Sequence, residues 1–296
     1  MIRRLLLIIL IPLLAGCATT STRTDGLSRS VKLAGLPRRI VSLAPSNTEI
    51  LFALGAGKQV VGRDSFSDFP AEAKSVKDIG GSMGKYDTEA ILALKPDLVL
   101  AGEINTPELV KSLESLGLTV YYLPNPTSLE GMYANLETVG QLTGHSSEAT
   151  TLIDSLKRRV AAVDASVVPL NSRPSVYYEL DATDPTKPYT AGPGTFVDLL
   201  IARAGGVNVG QSLTSAWAQI SLEELLVQNP YMIVLGDSAY GVTADSLKQR
   251  AGWSGLAALQ NGQVYPFDDN LVSRPGPRLV DGLEALAKLL HPGVLK

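Results

Sequence analysis

The chain has 296 residues, with 26 Lys and Arg against 29 Asp and Glu for a net charge of −3 at pH 7, two histidines and a single cysteine. An acidic balance without a basic cluster excludes a nucleic-acid footprint. One cysteine excludes an internal disulfide, and no His or Cys cluster has metal-ligand spacing, so no metal site is expected.

The N-terminus begins with a positively charged Met1-Ile2-Arg3-Arg4. An apolar run from Leu5 to Leu14 follows, and the segment ends Leu14-Ala-Gly-Cys17. These are the parts of a secretory signal. About ten apolar residues are too few for a hydrocarbon core, which takes roughly 20. The ending resembles the lipobox of bacterial lipoproteins, which implies that residues 1–16 are removed and that Cys17 is acylated. An ordinary signal beside an unrelated cysteine is the competing reading. A spare thiol in an oxidising compartment is a liability, and acylation removes it. Losing Arg3 and Arg4 leaves 24 basic against 29 acidic residues, a net charge of −5. From Ala18 to Gly26 there is no apolar period and Ser and Thr abound, so residues 17–36 read as a flexible tether. No later segment is long and apolar enough to cross a membrane.

Ile40 to Ala44 has a buried-strand pattern, and Pro45 to Glu49 breaks it and opens a helix that stops at Gly55. Val60-Val61 reads as a strand and Asp64 to Pro70 as a loop. A helix over Thr88 to Leu94 ends before Pro96, and Asp97 to Ala101 is a strand. Pro107 to Leu116 is helical, and Leu118 to Leu123 returns as a strand. Strands alternating with short helices predict an α/β fold with parallel sheets covered on both faces.

The second half repeats this unit. Thr88-Glu89 and Leu222-Glu223 each open an apolar helix, with Pro96 and Pro230 seven residues after each glutamate and a strand beyond. Glutamates and prolines are both separated by 134 positions, which predicts two similar lobes at residues 37–144 and 169–296. Between them, residues 145–168 carry one apolar stripe of Leu152, Ile153, Leu156, Val160 and Val163, with Ser146 and Ser147 as candidate caps. About 20 helical residues span ~30 Å, a stiff connector that leaves a ligand cleft between the lobes.

Gly80-Gly81-Ser82-Met83-Gly84 matches a hydrolase nucleophile elbow, but the polar stretch upstream is no core strand. His145 beside a helix start and His291 near the C-terminus make poor triad partners, so no enzyme activity is expected. Phe66, Tyr86, Tyr189 and Trp217 fall in loops at predicted strand or helix ends. In an open parallel sheet such loops line the crevice, and flat side chains there suit a large flat ligand. Rim or core packing is the alternative for each.

Arg39-Ile-Val-Ser-Leu-Ala-Pro-Ser-Asn-Thr-Glu49, Ser65-Phe-Ser-Asp-Phe-Pro70, Ala93-Leu-Lys-Pro-Asp-Leu-Val99 and Ser273-Arg-Pro-Gly-Pro-Arg278 resemble the substrate-binding proteins of ABC importers for cobalamin, iron-siderophores and haem. The match runs from about Arg38 to His291, with the cobalamin-binding members nearest. The resemblance implies two α/β lobes on one long rigid helix, as in class III periplasmic binding proteins. It also implies small closure on the ligand, a membrane permease with its ATPase as partner, and a monomer on the periplasmic side or outer face of a membrane. One surface glutamate per lobe docks on the transporter in this family, and Glu89 and Glu223 stand at those positions; solvated carboxylates favoured by the helix dipole are the alternative. By the same resemblance Phe66 and Trp217 match cleft aromatics, and Asp269 or Asn270, ahead of Arg274, hydrogen-bonds the amides of a corrinoid. Where cobalamin receptors have a tryptophan before Glu89, this chain has Met83, with Tyr86 nearby. No cofactor is expected; the ligand is cobalamin or a related corrinoid. A ferric-siderophore receptor using Arg63, Arg274 and Arg278, a haem receptor using Tyr86 or Tyr189, and an exported hydrolase using Ser82 are the rivals.

Overall fold

The computed structural model describes residues 21–81 and 84–295, so the predicted signal, Cys17, Ser82 and Met83 lie outside the described residues. The first described elements correct the tether reading from Ser21 onward. β1 (Ser21–Thr24) and β2 (Ser30–Leu33) pair as an antiparallel hairpin. Val31 and Leu33 enter the core. At the turn, the Asp25 carboxylate accepts from the backbone N–H groups of Leu27, Arg29 and Tyr122, and Gly26 N–H donates to Tyr122 O at 2.8 Å. These long-range bonds give a polar, turn-rich segment a fixed structure that its composition does not reveal.

The N-terminal lobe follows the predicted alternation: β3 (Ile40–Ser42), α1 (Pro45–Ala53), β4 (Val60–Arg63), β5 (Lys77–Asp78), α2 (Thr88–Ala93), β6 (Leu98–Ala101), α3 (Pro107–Ser115) and β7 (Val120–Tyr122). Among the described residues its sheet has the order β5-β4-β3-β6-β7, parallel throughout. Strand order reverses beside β3, which places a crevice at the carboxyl ends of β3 and β6. A further helix, α4 (Leu129–Thr143), is absent from the elements predicted in chain order. Ser128 caps it by accepting from Gly131 N–H, and Leu129, Met132, Leu136 and Val139 form its buried stripe.

α5 (Ser146–Val167) is the long helix between the lobes. Its N-cap is His145, with no side-chain cap bond, in place of the expected serine cap. Leu156, Val160 and Val163 are buried between α4 and α11 (Leu279–Leu290), in one continuous core that reaches both sheets. Arg159 reaches Asp281 and Glu284, and Asp164 reaches Arg203, so the helix is also tied by charge. A helix packed along its length in this way is a poor hinge.

The C-terminal lobe is built from β8 (Ser175–Asp181), β9 (Tyr189–Ala191), α6 (Phe196–Arg203), β10 (Val207–Asn208), β11 (Trp217–Gln219), α7 (Leu222–Gln228), β12 (Met232–Leu235), the short α8 (Ala244–Lys248) and α9 (Ala257–Gln260), β13 (Val264–Pro266), α10 (Asn270–Ser273) and α11. The core pairings β8–β12 and β12–β13 are parallel, and the internal repeat is visible because β6 and β12 begin and end 134 residues apart. This sheet differs from the first in an antiparallel edge, where β9 turns back on β8 and β11 pairs with β9. A connection as short as residues 182–188 suits a hairpin, while a parallel return takes a dozen residues or more.

Candidate functional site

The cleft between the lobes is lined in two adjoining halves that meet at Ala44, Ser46, Ile104, Ser273 and Pro275. Its N-terminal wall is the predicted crevice at the ends of β3 and β6. One half, of about 290 Å³, holds Asn47, Glu103, Asn125, Asn135 and Trp217. The other, of about 460 Å³, holds Phe66, Tyr86, Tyr240, Asn270 and Arg274.

Each aromatic has a local reason for its position. Trp217 is 54% exposed at the start of edge strand β11. That strand approaches closely because Gly192 has no Cβ: one built there would stand 2.2 Å from Ser215 O. Phe66 is 55% exposed on a loop pinned from below. Asp64, buried, accepts from Phe66 N–H at 2.9 Å and from the Ser67 hydroxyl, and Thr48 bonds Ser67 in turn. Burial pushes the Asp64 carboxyl up despite those donors. Tyr86 is fixed by its phenol, which donates to Leu43 O at 2.8 Å and accepts from Asn105 Nδ2 at 2.7 Å. Burial and the nearby Asp64 raise its pKa to about 12, so it presents a neutral ring.

Other expected residues are placed differently. Tyr189 is partly exposed on β9 but lines neither half of the cleft. The Asp269 carboxylate accepts from Tyr178 OH at 2.9 Å, which leaves Asn270 as the member of that pair at the cleft. Met83 lies outside the described residues. Glu89 and Glu223 are exposed in the first turns of α2 and α7, and neither makes an ion pair among the described residues. Two lining residues are not among those expected from the sequence: Tyr240, which is 89% exposed at the rim, and Ile104, which borders both halves. Both sit just beyond a strand's carboxyl end, the signal used for the other aromatics.

The three arginines offered for an anionic ligand are all engaged. Arg63 donates to Ala73 O and Asp64 O. Arg274 and Arg278 both reach the buried Glu49, and Arg274 also reaches Asp68. Burial alone would raise Asp68, but Arg274 outweighs it and holds the carboxyl below the usual range. The histidines are elsewhere. His145 Nδ1 contacts Thr143, and buried His291 contacts Gly205 O. No group of three or more potential metal-ligating side chains occurs among the described residues, and among those residues no helix is long and apolar enough to cross a membrane.

Residues 40–271 match the model of a family described as periplasmic binding protein. An ABC transporter substrate-binding lipoprotein of Bacillus subtilis strain 168, itself uncharacterised, is 34% identical over 280 residues, covering 93% of this chain and 87% of that protein. The cobalamin-binding protein of Halobacterium salinarum is 32% identical over 282 residues, 93% of this chain and 75% of that protein. The periplasmic heme-binding protein RhuT of Roseiflexus sp. RS-1, in its apo form, superposes with a TM-score of 0.78 at 28% identity, covering 87% of this chain and 99% of that one. The chain belongs to the periplasmic binding protein family: it is a substrate-binding protein, not an enzyme.

Proposed function

We propose that this protein is the exported, Cys17-anchored receptor of an ABC importer, and that it takes cobalamin or a related corrinoid into the inter-lobe cleft. The observation that carries the reading is the set of exposed rings, Trp217 in one half and Phe66 and Tyr240 in the other, around a cleft with amide and hydroxyl groups on its walls. Flat apolar faces flanked by neutral hydrogen-bonding groups suit a flat ring system with amide arms. Charge supports the same choice. The charged side chains lining the two halves are Glu103 and Arg274, and Arg274 is neutralised by Glu49 and Asp68. A ligand with carboxylate or catecholate groups finds no unpaired cation among the described residues that line it.

The importer role rests on the similarity to the Bacillus subtilis lipoprotein, and the ligand on the similarity to the Halobacterium salinarum protein. Glu89 and Glu223 are assigned to docking on the permease. Cyanocobalamin should quench the fluorescence of Trp217, with Trp217→Phe removing the quench; Trp253, fully buried, reports the background.

A haem receptor is the second reading, favoured by the exposed phenol of Tyr240 at the cleft and by the haem-binding name of the Roseiflexus structure. If haem binds, Tyr240→Phe abolishes the iron–phenolate absorption band.

A further inference from the structure

Three charged side chains meet between the lobes beside the Phe66 half of the cleft, which Arg274 lines. Glu49, on α1 of the N-terminal lobe, accepts from Arg278 Nε at 2.8 Å and Nη2, and from Arg274 Nη1 at 3.1 Å. Both arginines belong to the segment between α10 and α11 of the other lobe. The Glu49 side chain is 2% exposed, and those of Arg274 and Arg278 are 14% and 12% exposed. The Arg278 Cζ also stands over the Phe69 ring, 3.9 Å from its centre, while Arg274 shares its Nη1 with Asp68 at 2.7 Å.

We propose that Glu49 sets the charge selectivity of the cleft: by holding the Arg274 and Arg278 guanidiniums on its own carboxylate, it denies them to anionic groups of a ligand. The inference rests on the cleft being the ligand site, as the proposed function has it. A guanidinium free to swing at the edge of a cleft is a strong bidentate partner for carboxylate or catecholate oxygens. Here the Arg278 fork is already filled by Glu49. Arg274 borders the Phe66 half of the cleft but is held between Glu49 and Asp68. A ligand anion that drew Arg274 or Arg278 away would leave the Glu49 carboxylate buried with too few donors, a penalty that works against that ligand class. Neutralising Glu49 reverses this balance. The two guanidiniums would then keep one direct ion-pair partner among the described residues, Asp68 on Arg274, with Asp268 and Asp64 acting on them by charge from further off, and both forks would be open to a ligand anion.

The test compares wild type with Glu49→Gln, as full chains in detergent, for binding of cyanocobalamin, haem and a ferric tris-catecholate chelate. Glu49→Gln should raise affinity for the two anionic probes at least tenfold, a gain that shrinks in high salt, with cyanocobalamin changed less than threefold. Asp68→Asn releases Arg274 alone from a half-exposed partner, so a gain of about threefold is expected in a variant with no buried charge removed. Equal affinity of wild type and folded Glu49→Gln for both anionic probes overturns the proposal. If Glu49→Gln does not fold, unchanged anion affinity in Asp68→Asn overturns it. Failure of wild type to bind cyanocobalamin counts against the corrinoid reading alone, because the anion comparison is read separately.

Discussion

Glu89 and Glu223 are the second residues of α2 and α7, helices capped by Asp87 and Ser221 in equivalent places of the two lobes. The first turn of a helix favours a carboxylate whatever its use, so a single such glutamate says little. Two at one register, both exposed and without an ion pair among the described residues, are the matched pair proposed above for docking. Reversing both, Glu89→Arg with Glu223→Arg, should abolish uptake of ligand into cells or proteoliposomes. Ligand affinity of the isolated receptor should stay within about twofold. A parallel loss of affinity would refute the docking role.

Trp217→Ala removes the largest exposed ring of the cleft. Its loss should cost about 2 kcal/mol of binding, roughly a 30-fold weaker Kd, measured by calorimetry with cyanocobalamin. Because the side chain is half exposed on an edge strand, thermal stability should hardly change.

Asp25 anchors the N-terminal hairpin. Burial pushes its carboxyl up, but the Arg29 side chain and the N–H groups of Arg29 and Tyr122 outweigh this and hold it below its ordinary 3.8. A depressed folded pKa contributes stability that is present above the unfolded value and lost as pH falls through the folded one. Asp25→Ala should cost about 2 kcal/mol and open the hairpin to trypsin at Arg23 and Arg29. In wild type the hairpin amides should be protected from hydrogen exchange at pH 7 and lose that protection, relative to the rest of the core, below about pH 4. Equal cleavage rates in variant and wild type would contradict the anchoring role.

Asp237 follows β12 and contacts Glu179, whose carboxylate already carries the bidentate Arg250. Burial, then the Glu179 charge, pushes Asp237 from 3.8 up to about 7. The folded state therefore holds a proton that the unfolded chain has released above about pH 4, so stability falls as pH rises from there to about 7. Asp237→Asn should flatten that slope and stabilise the protein at pH 8, read from thermal melts across pH. An unchanged pH profile would contradict the raised Asp237 carboxyl.

How much was legible in the sequence follows the range of the interactions. The α2–β6 and α7–β12 units are local: a cap, an apolar stripe and a proline stop, written twice, and the structure repeats them at the same spacing. α5 likewise shows its buried stripe. The exposed rings of Phe66 and Trp217 followed from the strand-end rule, while Tyr189 obeyed the same rule and lies outside the cleft lining. Partners far apart in the chain were not legible. Glu49 meets Arg274 across 225 positions, and Asp25 meets Tyr122 across 97. The first contact turns arginines that read as free anion binders into a neutralised cluster. The second turns part of an apparent tether into a strand pair. The hairpin also bears on how the receptor is prepared, since a chain begun at Ser28 would lack β1 (Ser21–Thr24) and the Asp25 anchor.

The central claim is that the cleft takes a flat, neutral, amide-bearing ligand. Calorimetric titration of the lipid-free chain beginning at Ala18 tests it most directly, with cyanocobalamin, haem and a ferric tris-catecholate run in parallel. Saturable one-to-one binding of cyanocobalamin, at least 100-fold tighter than either anionic probe, is the predicted result. No cyanocobalamin binding at micromolar ligand, with saturable binding of haem or the ferric chelate, would contradict it.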